Sequence, residues 1–175
     1  MGRFISWVRA ADPSAVQMRE AIQGAKEELA ARVRRGDSVD LLVAAHAGVI
    51  DAALTHLWTS NGVSDTGFCL VAVGGYGRAQ LHPSSDIDIL IIADDSDGST
   101  EPVEQFVAQL WDTGLEIGHS VRTVADCETL SREDVTVATT LMESRRLAGA
   151  PDLYRQMVDA TGPGRVRDAP SFFVA

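Results

Sequence analysis

Cysteine, lysine, positive charge and long apolar runs are what this sequence has least of. Cys69 and Cys127 are its only cysteines, and Cys69 sits inside an apolar run. A disulfide framework and a thiolate zinc site are therefore not expected. Lys26 is the single lysine, so the basic side chains are almost all arginine, which reads as compositional bias rather than function. No apolar run approaches the roughly 20 residues a membrane-spanning helix needs. The opening MGRFISWVRAADP lacks the apolar stretch of a signal peptide. The expectation is a cytoplasmic protein with no membrane partner. Lys and Arg number 15 against 25 Asp and Glu, a net charge of −10. A nucleic-acid binder presents a basic surface, so a polymerase-type role on DNA or RNA is disfavoured. Internal repeats, heptads and low-complexity segments are lacking too.

What is present suffices for one domain with a proper core: 175 residues, 45% of them apolar. An N-terminal helical segment (1–60), a core (61–150) and a C-terminal helix and tail (151–175) are expected within it. Asp12-Pro13 reads as an N-cap with proline at the first helical position, opening a helix that runs to about Arg35 before Gly36. Val16, Ala21, Leu29 and Val33 give it only a thin apolar stripe, which places it on the surface. Ser38 caps a second helix, Val39 to Thr59, with a broad face of Leu42, Val43, Ala47, Ile50, Leu54, Leu57 and Trp58. His46 and His56 in this helix read as packing or surface histidines. Asp94 to Thr100 is a polar loop without calcium-loop spacing. A helix over Pro102 to Thr113 is anchored by Phe106, Leu110 and Trp111. Thr123 with Asp126, and Ser131 with Asp134, read as capping pairs ahead of a helix over about Val135 to Ala148. Pro151 to Ala160 forms a last helix, broken at Gly162-Pro163-Gly164, and Phe172 and Phe173 lie in a tail that is frayed or docked.

The chain is organised around Phe68 to Ala93, FCLVAVGGYGRAQLHPSSDIDILIIA. It reads as strand, glycine loop, strand. Alternation along the second strand sets Asp86 and Asp88 on one face and Ile87 and Ile89 on the other. Two carboxylates held about 4 Å apart repel by on the order of 4 kcal/mol at an effective dielectric of about 20, a repulsion that a divalent cation reverses. Hard oxygen ligands select Mg²⁺ or Mn²⁺. Gly74, Gly75 and Gly77 let the preceding backbone bring N–H groups close to an anion, and Arg78 follows with a fork of donors for a phosphate, or for a surface salt bridge. The triplet is neither a dinucleotide fingerprint nor a P-loop. Leu115 to Arg122 reads as a third strand. Leu115, Ile117, His119 and Val121 share one face of it, and Glu116, Gly118, Ser120 and Arg122 share a polar face open towards a ligand.

An apolar strand, Gly-Gly, about ten residues and then Asp-apolar-Asp-apolar resembles the signature of the DNA polymerase β-like nucleotidyltransferase superfamily. Within it, GGYGRAQLHPSSDIDILII resembles the bifunctional PII uridylyltransferase/uridylyl-removing enzymes, whose text is close to GGYGRGELHPxSDIDLL. LWDTGLEIGHSVRT and DVTVATTLMESRRLAG continue the resemblance from about Asp37 onward. It implies an α/β (α+β) nucleotidyltransferase core, a small mixed sheet flanked by helices. It implies UMP transfer from UTP to a tyrosine of the PII signal protein with release of pyrophosphate. Asp86 and Asp88 would hold Mg²⁺ or Mn²⁺, and Gly74, Gly75, Arg78 and Ser85 would meet the nucleotide phosphates. Superfamily members often carry a third carboxylate on a neighbouring strand; Glu116 is the candidate, with Asp112 close by in sequence. Arg122 would meet the triphosphate or pair with Glu116. Positions 79 and 80 read Ala-Gln where the family commonly has Gly-Glu. The family's further helical part, HD phosphohydrolase domain and paired ACT domains are not in this sequence, which resembles the N-terminal transferase core. An adenylyltransferase acting on PII or another protein, and a catalytically incomplete binding module, are the alternative readings.

Overall fold

A computed structural model describes Val8 and residues 13–83, 85–94 and 99–166. Asp12, most of the polar loop after Asp94, and Phe172 and Phe173 lie outside the described residues. In chain order the elements are α1 (Ala15–Arg34), α2 (Val39–Ser60), β1 (Phe68–Ala72), α3 (Gly74–Gly77), β2 (Ile87–Ala93), α4 (Glu101–Asp112), β3 (Ile117–Arg122), α5 (Val124–Glu133), α6 (Val135–Met142), β4 (Arg145–Gly149), α7 (Pro151–Thr161) and α8 (Pro163–Val166). The fold is α+β, as the sequence implies. The chain forms two compact units. A helical unit draws on Met1–Val63, Ala79–Ile87 and Ser99–Ile117, and a sheet unit on Ser64–Arg78, Asp88–Gly98 and Gly118–Ala175.

In the helical unit, α1 begins later than Asp12-Pro13 suggests. Ser14 and Gln17 close a reciprocal capping box, the Ser14 hydroxyl accepting from the Gln17 N–H and the Gln17 side chain accepting from the Ser14 N–H at 3.0 Å. Two otherwise orphaned donors are satisfied there, which fixes the start. The surface assignment of α1 is corrected as well. Met18, Ile22 and Leu29 are buried, one stripe at helical spacing packed on α2 and α4, whereas Val16 and Val33 are exposed. Reading Val16 in place of Met18 turned the stripe to the wrong side.

The broad apolar face of α2 is buried as expected, from Leu42 to Trp58, and Trp58 meets Phe106 of α4 edge-on with ring centroids 5.2 Å apart. This helix is long and apolar enough to cross a membrane, at a mean hydropathy of 1.4. Its burial against α1 and α4 instead makes it the core of the unit. On α4 the anchors are Val103, Phe106 and Leu110; Trp111 is 67% exposed, against expectation, because it falls one residue past the stripe at 103, 106 and 110.

His46 is buried, and its Nδ1 lies 3.1 Å from the carbonyl oxygen of Leu81. A carbonyl only accepts, so Nδ1 carries the proton and Nε2, which has no partner, does not. Burial holds the His46 pKa below the ordinary histidine value. This packing histidine fastens the segment that leads to Asp86. Two residues before Leu81, Ala79 has φ 56°, the one non-glycine in the left-handed region among the described residues.

The four-stranded sheet has the order β3-β2-β1-β4. Central β1 is wholly buried and pairs antiparallel with β2, from Phe68↔Ala93 to Ala72↔Ile89, and with β4, from Cys69↔Gly149 to Ala72↔Arg145. The expected helix over Val135 to Ala148 is therefore cut short. It ends at Met142, and Arg145–Gly149 is a fourth strand. MESRRLAG has good local helix propensity, but pairing with β1 wins. Gly149 seals that pairing: its φ is 77°, and a Cβ there would fall 2.2 Å from the Phe68 carbonyl oxygen. Cys69, Val71, Leu90, Ile92, Cys127, Leu141 and Met157 pack into one core beneath the sheet. Both thiols are free, and burial pushes them up to about 12 for Cys69 and about 11 for Cys127, which keeps them protonated and unreactive.

The Thr123 and Asp126 pair caps α5 as a full box, with the Asp126 N–H on Thr123 Oγ1 at 3.1 Å and the Thr123 N–H on Asp126 Oδ2 at 3.0 Å. Thr123→Ala is expected to lower stability by about 1 kcal/mol, read as a lower urea midpoint at unchanged slope. The Ser131 and Asp134 pair is different from expectation. Ser131 is buried inside α5, donating to the Glu128 carbonyl, while Asp134 alone caps α6 by accepting from the Thr136 N–H at 2.7 Å.

Candidate active site

In the sheet unit, a cleft of about 380 Å³ opens beside the strand ends. Its floor comes from Val73, Asp88, Ile89 and Leu90, one wall from Gly118, His119, Ser120 and Arg122 of β3, and the other from Thr136, Val137, Thr140 and Leu141 of α6, with Asp134 at the helix start. The geometry follows from the strands. Val73 leaves β1 in extended conformation, its N–H donating to the Asp88 carbonyl at 3.1 Å, which continues the β1–β2 ladder by one residue. Alternation then sets Ile87 and Ile89, both buried, on the face opposite Asp88, whose side chain is exposed in the cleft.

The glycine loop is a single helical turn. The Gly77 N–H bonds the Val73 carbonyl at 3.0 Å and the Arg78 N–H bonds the Gly74 carbonyl at 3.1 Å. Gly74 turns at φ 59°, where L side chains rarely go, and only the Thr140 methyl lies within 4.0 Å of a Cβ placed there. Gly77 is required for a different reason. A Cβ on it would sit 1.8 Å from the Glu143 carbonyl oxygen. Arg145 of β4 locks the turn from behind, its guanidinium donating to the Gly77 and Tyr76 carbonyls at 3.3 and 3.4 Å and lying 5.6 Å from the centroid of the Tyr76 ring. Exposed Arg78 forms an ion pair with half-buried Glu143, so the surface salt bridge weighed for it does exist.

The sequence-nominated residues divide between the units. Gly74, Gly75, Arg78 and Asp88 belong to the sheet unit, where Asp88 lines the cleft and the two glycines form the turn that leaves β1. Ser85, Asp86 and Glu116 belong to the helical unit and are all exposed. There the Ser85 N–H closes a turn on the His82 carbonyl at 3.0 Å, and the Ile87 N–H bonds the Glu116 carbonyl at 3.1 Å, so the segments carrying Asp86 and Glu116 run side by side. Asp112, the other acid weighed, receives an Arg19 hydrogen bond at its backbone carbonyl. Of the polar face foreseen on the third strand, Gly118, Ser120 and Arg122 line the cleft, whereas Glu116 precedes the strand and is not among the lining residues. His119, assigned to the apolar side, lines it as well, and Val121 is exposed rather than packed. The α6 wall was missed. Its signal was available in VTVATT, where Thr136 and Thr140 stand one helical turn apart on one face.

The donor set suits a magnesium-type cation better than a cage-forming one. Asp88 offers hard carboxylate oxygen to an open cleft, and the described residues gather no group of three or more His, Cys, Asp or Glu side chains. Mg²⁺ is commonly held by one or two carboxylates and completes its octahedron with water and substrate phosphate, whereas structural zinc needs four protein ligands.

No family model matches the chain. Among curated proteins, it is 42% identical over 160 residues to bifunctional uridylyltransferase/uridylyl-removing enzymes of Azotobacter vinelandii and Pseudomonas putida, and 43% identical to that of Ectopseudomonas mendocina. Each match covers 90% of this chain and 18% of the relative, so the chain spans under a fifth of the length of the curated relatives it matches. With the α+β fold and the glycine turn and aspartate strand in place, the chain is by sequence a relative of the bifunctional uridylyltransferase/uridylyl-removing enzymes, corresponding to 18% of their length.

Proposed function

We propose that the chain is a nucleotidyltransferase core that moves UMP from UTP to a tyrosine hydroxyl of the PII signal protein, releasing pyrophosphate, in the cytoplasm. The observation that carries the reading is Asp88, a carboxylate exposed in a cleft behind a glycine turn, in a chain 42% identical to enzymes named for uridylyl transfer. In the transfer, the phenol oxygen forms a bond to the α-phosphorus, the bond from that phosphorus to the pyrophosphate oxygen breaks, and the phenol proton departs. Asp88, with Asp86 two residues before it in the chain, would hold Mg²⁺ or Mn²⁺. Such a cation, when bound, neutralises charge on the triphosphate and the departing pyrophosphate.

The chain's own groups have separate tasks. The Gly74–Gly75 turn and Ser85 bind phosphate oxygens through N–H and hydroxyl donors. Arg122, half-buried in the cleft wall, offers a fork that matches a phosphate. Arg78 is engaged by Glu143, so a phosphate would have to compete for it. Glu116 takes the phenol proton as general base.

Incubation of the chain with PII, Mg²⁺ and labelled UTP or ATP tests this. Label is expected on PII from UTP, dependent on Mg²⁺, together with a thermal shift worth about 2.7 kcal/mol at a hundred times the dissociation constant of the nucleotide. Transfer from ATP alone would overturn the choice of nucleotide. Absence of both transfer and Mg²⁺-dependent nucleotide binding would reduce the chain to a binding module.

A further inference from the structure

We infer that Gly118 is a positioning residue for Asp88: the side chain it lacks is the space in which that carboxylate rests. A Cβ built on Gly118 would fall 2.5 Å from Asp88 Oδ1 and 3.8 Å from its Cγ, and these are the atoms it would meet within 4 Å. Real Cβ atoms essentially never approach so closely. The Asp88 backbone cannot retreat, because its carbonyl accepts from Val73 and its neighbour Ile89 is paired with Ala72. The carboxylate alone would have to swing away.

Gly74, Gly77 and Gly149 of the sheet unit serve the backbone. A Cβ on Gly77 or Gly149 would strike main-chain atoms, and Gly74 and Gly149 turn through the left-handed region. Gly118 does neither. It is exposed on the edge strand β3, its φ is one that L side chains accept, and only a side chain stands in the way. The fold therefore tolerates alanine at this position, and the carboxylate does not.

The inference rests on the reading of Asp88 as a metal ligand, and its test separates the two. UTP affinity is measured by isothermal titration with and without Mn²⁺ on the folded chain, and the gain due to Mn²⁺ is the readout. Residues that orient a metal ligand are worth about ten- to a hundredfold in metal affinity. Gly118→Ala and Gly118→Ser are expected to lose about that much of the Mn²⁺-dependent gain, with a thermal midpoint close to the parent. In an Asp88→Asn background, Gly118→Ala is expected to cause no further loss, a non-additivity that a merely structural role would not produce. A Gly118→Ala chain with the full Mn²⁺ gain, beside an Asp88→Asn chain that has lost it, overturns the role of Gly118 and leaves the metal site standing. Additive losses, or a Gly118→Ala chain that does not fold, overturn it too. An Asp88→Asn chain with the full gain removes the metal reading itself.

Discussion

Asp88→Asn is expected to lower uridylyl transfer by at least about a hundredfold while leaving the thermal midpoint within a degree or two of the parent. Groups that stabilise charge on transferring phosphoryl oxygens are each worth roughly 10² to 10³ in rate, so the lower figure is a conservative floor. The amide has the size and shape of the acid but not its charge. Stability is spared because Asp88 is exposed in the cleft, where the loss of a solvent-screened charge costs little. Asp86→Asn, also exposed, is expected to behave alike. Steady-state transfer to PII, run beside a melting curve for each variant, checks both halves. Full activity in both variants would withdraw the two aspartates from the chemistry.

Gly77→Ala is expected to be, with Gly149→Ala, among the most damaging single methyls in the sheet unit. Its Cβ would lie 1.8 Å from the Glu143 carbonyl oxygen, 2.9 Å from the carbonyl carbon and 3.0 Å from the Ala72 carbonyl oxygen, all main-chain atoms of neighbouring elements. No rotamer change relieves contacts of that kind. Overpacking ordinarily costs about 1–3 kcal/mol, and a clash with backbone on two sides belongs at or beyond the top of that range. With a urea slope of about 1–3 kcal/mol per molar, the midpoint falls by on the order of 1 M or more. Gly24→Ala is the opposite case: a Cβ there meets nothing within 4 Å, and it lies mid-helix in α1. Alanine at position 24 is expected to stabilise by about 0.5–1 kcal/mol. Equilibrium unfolding of the two variants should therefore move in opposite directions.

The same two glycines show what a sequence does and does not disclose. Apolar runs bounded by turn residues are local signals, and they located β1, β2 and the buried face of α2 directly. Asp88 was legible because alternation within one strand decides which side chain faces out. The need for glycine at 77 depends on Glu143, far along the chain, and no local pattern reports it. For β4, too, the residues speak for a helix, and only the waiting edge of β1 converts them. The cleft's second wall was half legible: the α6 threonines repeat at helical spacing, yet what they face depends on how that helix meets the strands. Trp111 and Met18 mark the cost of judging a helix face from hydrophobicity alone, since a shift of one or two positions rotates the whole stripe.

Ala79 carries a methyl group through a bend in the left-handed region, at a φ of 56° that glycine adopts more readily. That conformation costs an L residue roughly 1–2 kcal/mol, and the bend persists because the chain beyond it is secured at Leu81, buried and bonded to His46. The trajectory of the segment leading to Asp86 is thus set by its anchorage rather than by the amino acid at its corner, which leaves that corner open to sequence drift.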